Sequence, residues 1–284
     1  MKISTSFIGS ILALMLCGSM SLAENAITLA STTSTQNSGL YRYLLPQFEA
    51  DTGIRVNVVA VGTGQAIKIA ENGDADALLV HHRPSEDAFV TEGFGIDRRD
   101  VMYNDFVIIG PASDPADVAN ATSVKDVFQR LAKTTPLFIS RGDDSGTHKK
   151  EQEMWRDAGL SPNGAWYREI GAGMGAALNM AAATDAYLMS DRGTWLSFGN
   201  TQNLQILFQG QPVLRNPYGL ILVNPTRHPH VDVESARRFA DWITSETGQQ
   251  AISNFRVENK QLFCPNAQPE KDSKAFCPSD KALD

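Results

Sequence analysis

Cysteine is scarce: 284 residues contain three, at Cys17, Cys264 and Cys277. That excludes a fold built on a disulfide framework, and a chain of this length buries a sufficient core without one. Positive charge is in deficit, with 25 Lys and Arg against 32 Asp and Glu and a net charge of −7. A general nucleic-acid binder carries a basic excess and is excluded. A small anionic ligand is not, because a site needs local positive potential rather than positive net charge. After residue 23 no apolar run approaches the ~20 residues of a membrane span. Internal repeats and low-complexity tracts are absent, as are the patterns G-x-x-x-x-G-K-[ST] and H-E-x-x-H. Gly142-Asp143-Asp144-Ser145-Gly146 misses G-x-S-x-G because Asp143 stands two before Ser145. His81, His82, His148, His228 and His230 lack ligand spacing, and His228-Pro229-His230 with Asp232 is at most a weak metal site. No catalytic residue, metal or cofactor is expected. With 42% hydrophobic and 20% charged residues, what remains is an ordinary globular protein.

The first segment stands apart. Lys2, an apolar stretch from Phe7 to Leu16, and Ser21-Leu22-Ala23 before Glu24 read as a secretory signal peptide cleaved after Ala23. Lipidation at Cys17 is disfavoured by Leu16, where a small residue belongs. Removal of residues 1–23 leaves Cys264 and Cys277, an even pair expected to close a disulfide in the polar tail of an exported protein.

The mature chain alternates. Ile27–Ala30, Arg55–Val61 and Ala77–Val80 read as strands, separated by helical spacing at Leu40, Tyr43, Leu44 and Phe48 and by a short helix over Ala66–Glu71. Short connections between them predict βαβ units and a parallel sheet. Phe106–Ile109 is the next strand, and Gly110-Pro111 after it marks a crossover to a second α/β series. That series has helices over Ser123–Ala132, Ser145–Ala158 and Met174–Ala183, with strands at Leu137–Ile139, Ala186–Met189, Gln205–Phe208 and Leu220–Val223. A return crossover falls near Gly210–Asn216, and helices Val233–Thr244 and Glu246–Phe255 close the chain. The expected division is lobe I from 24–109 and 213–284, and lobe II from 110–212.

In open α/β sheets ligands sit beyond the carboxyl ends of strands, against helix starts. Three strand-end loops are rich in donors. Thr32-Thr33-Ser34-Thr35 sets four hydroxyls where one suffices as a helix cap. Gly62-Thr63-Gly64 permits close backbone approach and puts Thr63 near a helix start, although a plain glycine turn reads equally well. Ser140-Arg141-Gly142-Asp143-Asp144-Ser145-Gly146-Thr147 combines a guanidinium fork, two hydroxyls and helix-start N–H groups, with Asp143 close enough to orient Arg141. Arg192, after Ala186–Met189, is either a second positive charge from the far lobe or half of an Asp191–Arg192 structural pair. The candidate ligand residues are therefore Thr32, Thr33, Ser34, Thr63, Arg141, Ser145, Gly146, Thr147 and Arg192.

These loops carry a resemblance. Ser31 to Leu40, Val59 to Ala66, Glu71 to Asp76, Met102 to Val107, Ser140 to Lys150, Asp191 to Thr194 and Asn216 to Gly219 resemble, in collinear order, periplasmic tungstate-binding proteins of the Tup type. Those are solute receptors of ABC importers, and the Cys264–Cys277 tail lies outside the match. The resemblance implies a two-lobed type II periplasmic-binding-protein fold, each lobe a mixed sheet flanked by helices, with two hinge crossovers. It also implies a monomer that binds tungstate and hands it to a membrane permease. The Arg-x-x-x-Ser-Gly-Thr pattern is similar to that of phosphate receptors too, but those add a carboxylate after the third strand to accept the proton phosphate retains. Here the stretch reads Leu78-Leu79-Val80-His81-His82-Arg83-Pro84, with no acid. A donor-only site suits tungstate, molybdate or sulfate, since an unpaired acceptor facing a dianion costs roughly 1–3 kcal/mol. Tungstate over molybdate rests on the resemblance alone. The alternative class, a hydrolase using Ser145, lacks a placed base and acid.

Overall fold

A computed structural model describes residues 25–257 and 259–267. The expected signal segment and Cys277 lie outside the described residues. In chain order the elements are β1 (Ala26–Thr32), α1 (Thr33–Asn37), α2 (Leu40–Thr52), β2 (Arg55–Val61), α3 (Thr63–Glu71), β3 (Ala77–Val80), α4 (Arg83–Thr91) and β4 (Gly95–Pro111). There follow α5 (Val124–Thr134), β5 (Phe138–Ser140), α6 (Gly146–Asp157), β6 (Tyr167–Glu169), α7 (Met174–Thr184), β7 (Leu188–Asp191) and α8 (Arg192–Leu196). The chain closes with β8 (Leu204–Phe208), β9 (Arg215–Val223), α9 (Val233–Thr244), α10 (Glu246–Asn254), β10 (Arg256–Val257), β11 (Lys260–Gln261) and β12 (Cys264–Pro265).

The first lobe is a sheet in the order β12-β4-β9-β3-β1-β2. β1 runs parallel to β2 and β3, whereas β9 is antiparallel to β3 and β4. Both faces are covered, so its central strands alternate between two apolar surroundings. Leu79, Leu220 and Leu222 point to α2, α9 and α10, where Phe48, Phe239 and Ile252 wait. Leu78, Val80, Ile221 and Val223 point to Ala66 and Ala70 of α3 and Phe89 of α4. The second lobe repeats the scheme: Phe106 and Ile108 pack with Phe128 and Trp155, Val107 and Ile109 with Leu178 and Ala181 of α7.

One strand serves both sheets. β4 pairs with β9 from Gly95 to Asp105, then with β7 from Phe106 and with β8 from Ile108. The strand expected at Phe106–Ile109 is thus the second half of a 17-residue element. Its first half carries no continuous apolar run: it contains Asp97-Arg98-Arg99-Asp100, whose carboxylates and guanidiniums pair with one another and with α4 and α9. Among the further elements that escape the apolar spacing are α1, which is wholly polar, and α4, signalled only by a proline in its first turn. The strand expected at Ala186–Met189 sits two residues later, and α3 begins at Thr63 rather than Ala66.

A buried ion pair locks α4 to β4. Glu86 is 0% exposed, and its Oε2 lies 2.7 Å from Arg98 Nη2. Gly219 of β9 allows the approach, since a Cβ there would stand 2.2 Å from Glu86 Oε2. Burial pushes the Glu86 carboxyl up, against the pull of Arg98. Removing only the cation leaves a buried carboxyl without its partner, so Arg98→Met should cost about 3–5 kcal/mol in urea unfolding. The double variant Arg98→Met, Glu86→Gln should regain a large part of that loss.

Candidate functional site

A cavity of about 310 Å³ lies between the lobes. The first lobe lines it with Thr32, Thr33 and Ser34 at the end of β1, Gly62 and Thr63 after β2, and His81 after β3. The second contributes Arg141, Asp143, Ser145 and Gly146 between β5 and α6, Gly173 to Ala176 at the start of α7, and Thr194 of α8. Five helix starts thus border one space. The first-turn N–H groups of a helix have no intrahelical acceptor, and the aligned peptide dipoles make that end electropositive. Side chains cap three of the five: Thr32 accepts from Thr35 N–H, Ser145 Oγ from His148 N–H, and Asp191 from Thr194 N–H. α3 and α7 begin at Gly62 and Gly173, which have no side chain to cap them. Beside Gly62, the Thr63 hydroxyl is buried and has no hydrogen-bond partner among the described residues.

Arg141 supplies the positive charge. Its Nε lies 3.1 Å from Asp143 Oδ2, and its Nη2 reaches the same oxygen, which aims the fork along the cavity wall. Asp143 Oδ1 also accepts the Ser145 N–H at 3.3 Å. Burial opposes ionisation of Asp143, but the Ser145 contacts and the Arg141 charge prevail and hold its carboxyl below the usual range. This acid is therefore an orienting group, occupied by its own loop.

The lobes touch beside the cavity. A Cβ on Gly146 would lie 2.6 Å from His81 Cε1, so glycine is what lets α6 approach β3. His82 Nε2 meets Glu153 Oε1 of α6 at 3.3 Å.

Seven of the nine residues expected from the sequence line the cavity: Thr32, Thr33, Ser34, Thr63, Arg141, Ser145 and Gly146. Thr147 is buried in the first turn of α6, outside the lining. Arg192 is turned away: Nε and Nη2 bind the two Asp105 oxygens at 2.7 and 2.6 Å, and Nη2 also reaches Gln209 at 2.7 Å. Its partner is a buried acid of β4, neither the ligand space nor the neighbouring Asp191. Sequence reasoning missed His81, Thr194 and the start of α7. Gly171-Ala172-Gly173-Met174-Gly175 before an apolar helix was an available signal for the last of these.

The arrangement offers donors to an anion. Ser145 Oγ is committed to a helix cap and the His148 ring accepts the Asp144 N–H at 3.2 Å, which is cap geometry rather than a nucleophile–base pair. No group of three or more His, Cys, Asp or Glu able to hold a metal occurs among the described residues. None of the helices among them is long and apolar enough to cross a membrane.

Fold and cleft together define a class, the two-lobed solute-binding proteins of type II topology. The family model of the PBP superfamily domain matches residues 21–247. The tungstate-binding protein TupA of Peptoclostridium acidaminophilum is 45% identical over 249 residues, covering 86% of this chain and 87% of that one. The structure of the tungstate ABC transporter protein from Geobacter sulfurreducens superposes with a TM-score of 0.76 at 49% identity, covering 82% of this chain and all of that one. TupA from Desulfovibrio alaskensis G20 gives 0.77 at 44% identity, covering 86% of this chain and all of the other. This chain belongs to the PBP superfamily and, within it, to the family of the TupA tungstate-binding proteins.

Glu151 of α6 lies on the next turn after Thr147, is 2% exposed, and accepts from Tyr167 Oη at 2.7 Å and Trp155 Nε1 at 3.2 Å. Burial outweighs those bonds and pushes its carboxyl up to about 7 from a solution value of 4.5. Between those values the unfolded chain releases a proton that the native state keeps, so this group makes stability fall as pH rises. The unfolding free energy of the wild type relative to Glu151→Gln should therefore drop by about 3 kcal/mol from acid to mildly basic pH. Denaturant titrations of both proteins across that range check it.

Proposed function

We propose that this protein is the receptor of an ABC importer, capturing tungstate, a fully deprotonated tetrahedral oxyanion, in the cleft between its lobes and delivering it to a membrane permease. The observation that carries this reading is the Thr63 hydroxyl, buried without a partner beside the uncapped start of α3, on a residue that lines the same cavity as Arg141. Buried donors without acceptors cost free energy, and an oxyanion supplies the acceptors. Thr32, Thr33, Ser34, Ser145 and Gly146 complete the donor set. The family and the identity to TupA proteins support tungstate in particular. Phosphate is disfavoured because no carboxylate follows β3 to take the proton it retains, and the cavity acid, Asp143, is bound to Arg141. The protein acts by binding and release, without turnover, as a periplasmic monomer. Lobe I comprises 24–105 and 215–284 and lobe II 106–214, rather than dividing after Ile109, because β4 leaves β9 for β7 at Phe106, and ligand draws them together about the two crossovers. Exposure to the oxidising periplasm pairs Cys264 with Cys277.

Calorimetric titration with tungstate, molybdate, sulfate and phosphate tests the reading, with phosphate expected to bind most weakly. Each charge-assisted bond is worth about 1.5–3 kcal/mol, so Arg141→Ala should weaken tungstate binding by roughly a hundredfold or more. Arg141→Lys should recover part, keeping the charge without the fork. Thr63→Ala should cost about one neutral bond, on the order of 1 kcal/mol. Wild-type affinity in a folded Arg141→Ala protein would place the ligand elsewhere. Mass measurement of the mature protein with and without reductant should show two hydrogens gained, and a Cys264→Ser, Cys277→Ser variant should bind tungstate unchanged.

A further inference from the structure

His81 stands one residue past β3, in the cavity wall. Its ring is 7% exposed, lies against Tyr218 of β9 with centroids 4.8 Å apart, and packs on Gly146 of α6. Nδ1 is 2.9 Å from Asn216 Oδ1, and Asn216 Nδ2 donates to Asn104 Oδ1 at 2.7 Å. With its amide nitrogen spent on Asn104, Asn216 presents an oxygen to His81, which assigns the hydrogen to Nδ1. Nε2 is then the bare nitrogen of a neutral ring, with no hydrogen-bond partner among the described residues.

We propose that His81 takes up a proton at Nε2 when the dianion enters, so that the cleft captures its ligand together with one H⁺. This rests on the oxyanion reading of the cleft. A bare nitrogen lone pair facing an oxyanion is repulsive, whereas an imidazolium Nε2–H gives it a charge-assisted bond. The proton comes from solvent, and no covalent bond changes. Several groups face the ring. Asp191 at the start of α8 favours the cation; Arg141 of the β5–α6 loop and the adjoining His82, itself bonded to Glu153 of α6, oppose it. Asp143 lies in the same wall but is held by Arg141, and Tyr218 Oη and Asn216 on β9 carry no charge. In the free protein burial prevails and holds the ring down to about 4, hence neutral at physiological pH. Two negative charges brought into the cavity that His81 lines reverse that balance.

Calorimetry of the mature protein with tungstate, in buffers of differing ionisation enthalpy near neutral pH, counts the protons. About one should be taken up per tungstate, with Kd rising about tenfold per pH unit across neutrality. His81→Gln, which keeps a donor that does not titrate, should abolish both, whereas His82→Gln and Glu151→Gln should keep them. Nitrogen-15 spectra of histidine-labelled wild type, which need no variant to fold, should move His81 Nε2 from the bare to the protonated range on adding tungstate. Tungstate binding without proton uptake, uptake that survives His81→Gln, or an Nε2 that stays bare overturns the inference and leaves the oxyanion reading standing. No binding of tungstate overturns both.

Discussion

A helix that begins on glycine leaves its first-turn N–H groups without a side-chain acceptor, and placing that end in a cleft between two lobes denies them most of their water. α3 at Gly62 and α7 at Gly173 do this from opposite lobes, toward the same cavity. The remaining architecture serves that convergence. β1 and β2 run parallel, so the helices after them start at one edge of the sheet, and β4 carries the chain to a second sheet whose helix starts face the first. The positive potential of the cleft comes from peptide dipoles and the Arg141 guanidinium together, which is how a protein of net charge −7 remains suited to an anion.

Charged side chains in the two regions near β4 have different tasks. Arg141 is steered by an acid two residues away and stays at the cavity wall, so its orientation is settled before any ligand arrives. Arg192 is bound bidentately to Asp105, where β4 passes from one sheet to the other. Its charge is spent on the junction between lobes. An arginine in the cleft and an arginine at the hinge look alike in sequence; only the length and direction of their reach separates them.

Contact between the lobes is set by small residues and imidazoles. Gly146 lets His81 lie against the start of α6, and His82 meets Glu153 one helical surface further on. A bulkier side chain at Gly146 would hold α6 off His81, so the glycine sets how closely the two lobes meet beside the cavity.

What the sequence determined by itself is local. The apolar runs of β1, β2 and β3, the helices beginning near Ser123 and Ser145, and the Arg141–Asp143 pair all depend on residues a few positions apart, and all were legible there. The polar α1, the charged first half of β4, and the two residues of offset in β7 were not, because their stability comes from neighbours brought by the fold rather than from their own spacing. The site divided along the same line. Its donor loops follow strands and announce themselves by composition. The commitment of Arg192 to Asp105 across 87 positions, and the arrival of His81 opposite Gly146, were decided only when β4, β7 and β9 fell into register, because strand pairing selects which distant side chains meet.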